Sequence, residues 1–127
     1  MTYSDIQEMA DAYIVCALFT ADEFIVPPKS KSGEFDPSPY LPRVTKEMRQ
    51  EAWWTCKLFY LMNRRDLQNY PADSAGHDLW YTRNGHGVGF WEANHCTAEE
   101  GERLTKSAKR MGESYLESGK GGWLYFA

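Results

Sequence analysis

The chain has 127 residues, enough for one compact domain with a real core, and 15% of them are aromatic. Its 14 basic and 18 acidic side chains leave a formal net charge of −4, which argues against an unaided, sequence-independent nucleic-acid binder. Cys16, Cys56 and Cys96 are far apart and odd in number, no charged-then-apolar leader opens the chain, and no apolar run reaches membrane-spanning length. A soluble, cytosolic protein with reduced thiols is expected, held to no membrane.

The first predicted element is a helix. Ser4-Asp5-Ile6-Gln7 has the form of a capping box, and Ile6, Met9, Ala10, Tyr13, Ile14, Ala17 and Leu18 recur at the spacing of one helical face. The opposite face holds Asp5, Glu8 and Asp11, and Asp22 and Glu23 extend this acidity. It reads either as a solvated face near the positive end of the helix dipole or as a contact surface for a basic partner. Residues 21–43 then hold five of the six prolines, at 27, 28, 37, 39 and 42. Proline bars regular pairing, so a long irregular loop is expected, packed by Phe24, Phe35 and Tyr40.

Thr45 caps a second predicted helix that runs to about Asn63. Its later half, from Ala52 to Met62, is apolar nearly all round. Such a helix lies between the first helix and a sheet, or else leaves a tryptophan face for a partner protein. The run Arg64-Arg65-Asp66 and Asn69-Tyr70-Pro71 ends it.

The densest chemistry follows, in residues 76–92, GHDLWYTRNGHGVGFWE. Asn84-Gly85 tolerates the positive φ angles of a two-residue type I′ turn, so the pattern predicts a hairpin of strands 77–83 and 86–91. In that register Trp80 faces Gly89, and Leu79, Tyr81, Val88 and Phe90 share one side. The other side carries Asp78, Trp80, Thr82 and Trp91 over Gly87 and Gly89. Trp80 is then either laid across bare glycine backbone or, with the other three, part of a shallow pocket for a small molecule. Arg83, Asn84 and His86 project at the tip, as turn chemistry or as a finger that reads an anion or a protein. As surface groups Arg83 and His86 are expected to tolerate alanine with little loss of stability.

Thr97-Ala98-Glu99-Glu100 is a further capping box, opening a third helix that runs to about Met111 and stops at Gly112. Residues 114–117 and 123–126 form a second predicted hairpin around Gly119-Lys120-Gly121-Gly122. The order is α-α-ββ-α-ββ, an α+β domain spanning 1–127 whose antiparallel sheet of two hairpins packs on helices.

The spacings of His77, His86, His95 and Cys96 match no structural zinc pattern, and neither glycine cluster matches a dinucleotide fingerprint or a P-loop. No metal or cofactor is expected. No Ser or Cys stands in a recognised nucleophile setting, and the pleat turns Asp78 away from His77, His86 and Arg83. Binding is favoured over catalysis.

His77 to Glu92 resembles a signature of small uncharacterised bacteriophage proteins, roughly HDFWLTRNGHGAGFWD, with mild departures at Leu79, Tyr81 and Glu92. Gly101-Glu102-Arg103-Leu104-Thr105 is similar to the GERLT of the same proteins. The likeness is looser over the N-terminal helix and the C-terminal strands, and Asn94-His95-Cys96 has no counterpart in it. The resemblance implies a phage or prophage accessory gene, acting in the host cytoplasm. The expected activity is interference with a host protein of the defence or transcription machinery, through the hairpin and the proline loop. The alternative is a small-molecule or nucleotide binder, or a hydrolase, that uses the Trp80/Trp91 face.

Overall fold

The computed structural model of the chain describes residues 1–21 and 35–127. Among the described residues four α-helices are followed by one hairpin: α1 (Tyr3–Thr20), α2 (Lys46–Met62), α3 (Ala72–Arg83), α4 (Ala98–Arg110), β1 (Leu116–Ser118) and β2 (Leu124–Phe126). Single 3-10 turns stand at Leu41–Arg43, Phe90–Glu92 and Lys120–Gly122. The predicted order α-α-ββ-α-ββ is therefore wrong in its middle, where the expected first hairpin is α3 and the turn after it.

α1 is the central element, packed on one side against α3 and on another against α2. Its apolar face is as read, with Ile6, Met9, Ala10, Tyr13, Ile14, Ala17 and Leu18 all buried. Its cap lies two residues earlier than predicted: Thr2 Oγ1 accepts from Asp5 N at 3.1 Å, and Asp5 Oδ2 accepts in turn from Thr2 N at 2.8 Å. Ser4 sits inside the helix.

Contact between α1 and α3 is set by Gly76. A Cβ there would lie 2.1 Å from the Met9 carbonyl oxygen and 3.1 Å from Ala12 Cβ, so the missing side chain lets the two backbones meet. α3 buries Ala75, Gly76, Leu79, Trp80 and Thr82, a helical spacing.

The Asn84-Gly85 pair ends α3 instead of turning a hairpin. Gly85 takes φ +70°, and His86 N donates to Tyr81 O at 3.0 Å, the six-to-one bond of a Schellman cap. The positive φ predicted for this dipeptide is present at Gly85; its use is different.

Of the loop predicted over 21–43, residues 22–34 lie outside the described residues, with Phe24, Pro27 and Pro28. The rest folds onto the domain, with the Phe35 ring edge-on to Phe19 and stacked on Tyr40. Thr45 caps α2 as expected, accepting from Met48 N at 3.1 Å, and its hydroxyl donates to Leu124 O at 2.7 Å. Val44 also makes a parallel bridge to Leu124.

Thr97 and Glu100 close the predicted capping box of α4. The terminal hairpin is antiparallel with Leu116 opposite Phe126, Glu117 opposite Tyr125 and Ser118 opposite Leu124.

The three cysteines are free thiols, Cys16 and Cys56 buried and Cys96 half-buried. Burial pushes Cys16 up to about 11 and raises Cys56 as well. A thiol reagent at about pH 8 is expected to label Cys96 alone in the folded protein, and all three thiols in denaturant. Rapid labelling of two native thiols would show that α1 and α2 do not pack as described.

Candidate binding site

Most of the side chains singled out by sequence are committed to holding the fold. Arg83, the last residue of α3, joins three elements. Its Nε donates to Gly112 O at 2.7 Å, one terminal nitrogen to Tyr13 Oη at 2.9 Å and the other to Met111 O at 3.2 Å. Tyr13 is buried, and burial pushes its hydroxyl up to about 12 against the pull of the Arg83 guanidinium. Asn84 donates to Trp80 O at 2.9 Å and accepts from Ser114 N at 2.8 Å. The expected hairpin tip thus becomes the junction between α1, α3 and the end of α4. Only His86 of the three projects, exposed, with its ring edge-on to Tyr81.

The alternative face is taken apart as well. Trp80 is 3% exposed and lies between Tyr13 and Phe126, with Nε1 donating to Thr20 Oγ1 at 2.8 Å. Thr82 is buried, and its hydroxyl oxygen accepts from Phe90 N at 3.1 Å. Gly89 therefore makes room for Thr82 Oγ1 and the Trp91 ring, not for Trp80. Trp91 itself is exposed. Asp78 accepts a short hydrogen bond from the Tyr70 hydroxyl, and burial raises its carboxyl above the usual carboxylate range. Trp80 and Thr82 point into the protein and Trp91 out of it, so the four residues share no pocket.

A pocket does form beside this junction. The C-terminal end of α1, the end of α3 and the segment leading into β1 enclose about 280 Å³. Thr20, Ala21, Trp80, Asn84, His86, Glu113, Tyr115 and Leu116 are among its lining, with Trp80 and Leu116 buried. The Tyr115 hydroxyl donates to the Glu113 carboxylate, and both side chains are exposed. The arrangement offers an acid, an imidazole and aromatic edges around an apolar floor. Sequence pointed here through Asn84 and His86, but nothing in the pattern signalled Glu113 or Tyr115, which meet them only through the packing of β1.

A second feature was half legible. α2 packs on α1 and β2 along one side, yet Trp54, Leu58, Leu61 and Met62 are 59%, 51%, 44% and 61% exposed. Both readings of this helix hold in part: α2 packs between α1 and the terminal hairpin, and it leaves the Trp54 side exposed.

Among the described residues no three His, Cys, Asp or Glu side chains gather where an ion could be held. No described helix is long and apolar enough to cross a membrane. Comparison with protein-family models, curated proteins and solved structures gives no match.

Proposed function

We propose that the chain is a phage-encoded accessory protein that works by binding a host protein in the host cytoplasm, with the pocket beside His86 as its anchor site. The supporting observation is the size and lining of that pocket. At about 280 Å³ it falls just under the range of roughly 300–1,000 Å³ typical of small-molecule sites, and it matches a single large side chain. Binding energy at protein interfaces concentrates in such buried anchors. The Glu113 carboxylate at the mouth, the Trp80 and Tyr115 rings and the net charge of −4 favour a cationic anchor, an arginine above all. The acidic outer face of α1 favours the same partner charge. The resemblance to phage proteins supports the origin alone, and host interference is the activity proposed for that setting.

Two substitutions test the pocket without entering the core. Ala21→Phe fills it from the rim, and Glu113→Arg reverses the charge at its mouth. Both are expected to keep the wild-type melting temperature to within about 2 °C and to weaken capture of the host partner by roughly 30-fold or more. Wild-type capture by both folded variants would remove the pocket from the interface.

A further inference from the structure

The exposed side of α2 carries an ordered pattern that the pocket does not use. Glu47, Glu51, Trp54, Leu58, Leu61 and Arg65 follow one another at intervals of four, three, four, three and four, the spacing of a coiled-coil seam. All six are exposed, so the seam faces outward along its whole length. Arg65 lies just past the C-terminal end of α2, in the turn closed by Leu67 N donating to Asn63 O at 3.0 Å. Charge is laid out along the seam in order, acid at the N-terminal end, apolar in the middle and base at the C-terminal end. Among the described residues neither Glu51 nor Arg65 forms an ion pair.

We infer that this seam is closed by a second copy of the chain, with the two α2 helices antiparallel about a two-fold axis at Leu58. Leu58 is the midpoint between Glu51 and Arg65 and also between Trp54 and Met62. One rotation therefore seats Trp54 on the other copy's Leu61 and Met62, twice, and puts Glu51 against the other copy's Arg65 at both ends. Glu51 lies a turn before Trp54 and Arg65 just past the end of the helix, so the two ion pairs bracket the apolar centre. A parallel pair would set acid on acid and base on base, which costs affinity and excludes that register. The isologous arrangement is the one that a single self-complementary patch generates.

The area is adequate. The exposed parts of the four apolar side chains amount to roughly 400 Å², the size of patch that is often functional on a monomer. Two copies with their flanking charges bury on the order of 1,000 Å², the level at which a specific interface becomes stable. The seam shares no residue with the pocket, so a dimer presents two pockets and does not depend on the host-binding proposal.

The test is the molar mass in solution by light scattering or sedimentation, read over a dilution series ending near 100 µM. The wild-type chain should approach twice 14.7 kDa. Leu58→Glu should give the monomer mass with an unchanged circular-dichroism spectrum, because the side chain is already exposed. Glu51→Arg and Arg65→Glu should each weaken the dimer by roughly tenfold or more, and the double exchange should restore it, since opposite charges again face each other. A wild-type chain that stays monomeric throughout the series would overturn the inference. So would a dimer that survives Leu58→Glu, or a double exchange no better than the single ones.

Discussion

Gly76→Val is expected to leave no folded protein at 25 °C, and Gly76→Ala to lower stability by about 3 kcal/mol. The alanine methyl would have to occupy space 2.1 Å from the Met9 carbonyl oxygen and 3.0 Å from its carbon. Backbone on α1 cannot swing aside as the end of a side chain can, so the helices would have to separate. Separation costs the packing of Met9, Tyr13, Leu79 and Trp80, all buried. Alanine gains roughly 1 kcal/mol over glycine in helix propensity, which offsets only part of this. Against a total stability of about 5–15 kcal/mol the valine branch exceeds what the fold can absorb. Urea unfolding followed by circular dichroism measures the effect, with Gly87→Ala as the control, since a Cβ there meets nothing within 4 Å. A wild-type midpoint for Gly76→Ala would show that α1 and α3 do not approach as closely as described.

Arg83→Ala is expected to cost about 3 kcal/mol, a fall of roughly 10 °C in melting temperature for a chain of this length. Removing the guanidinium strips donors from two main-chain carbonyls and from the buried Tyr13 hydroxyl at once. Arg83→Lys should recover a minor part, because an ammonium at the end of a flexible stem cannot reach three acceptors set around a planar fork. His86→Ala, beside it in sequence, should change stability by less than about 0.5 kcal/mol. If Arg83→Ala melts like the wild type, the residue is a surface group after all, as its place at a predicted hairpin tip implied.

These two residues show what the sequence made legible and what it hid. α1 announces itself through apolar spacing, α2 and α4 through their capping residues, and the terminal hairpin through its aromatic strands and glycines. Residues 77–91 carry two contradictory signals. Trp80, Tyr81, Thr82, Val88, Phe90 and Trp91 favour strands, and Asn84-Gly85 favours a tight turn. Beneath them lies the helical spacing of Ala75, Leu79 and Thr82, and of Gly76 and Trp80, visible only when the window begins before His77. Local preference lost to burial against α1. A residue with φ +70° serves a Schellman cap as well as a type I′ turn, and only the partner of His86 N separates the two. The site was hidden for a related reason. Glu113 and Tyr115 belong to a segment about 30 residues beyond Asn84, and no periodicity links positions brought together by tertiary packing.

The stretch from His77 to Glu92 serves the fold first. Trp80, Thr82, Arg83, Asn84 and Gly89 each satisfy a structural need of α3 or of the turn that follows. Such a motif identifies a way of folding, and of its polar residues His86 is left pointing outward.

The seat of α2 has a consequence for how the chain is made. Arg43 Nε donates to Gly122 O at 2.7 Å, and the Thr45 hydroxyl donates to Leu124 O at 2.7 Å, each contact spanning 79 positions. The N-terminal anchor of the second helix is therefore synthesised long before the strand that secures it. At roughly 5–20 residues per second, several seconds pass on the ribosome with α2 helical in preference but unfastened at its start. Its outward row of Trp54, Leu58 and Leu61 is in place throughout that interval, ahead of the closing hairpin. For the inferred dimer, this order of synthesis would let sister chains on neighbouring ribosomes pair before either has finished folding.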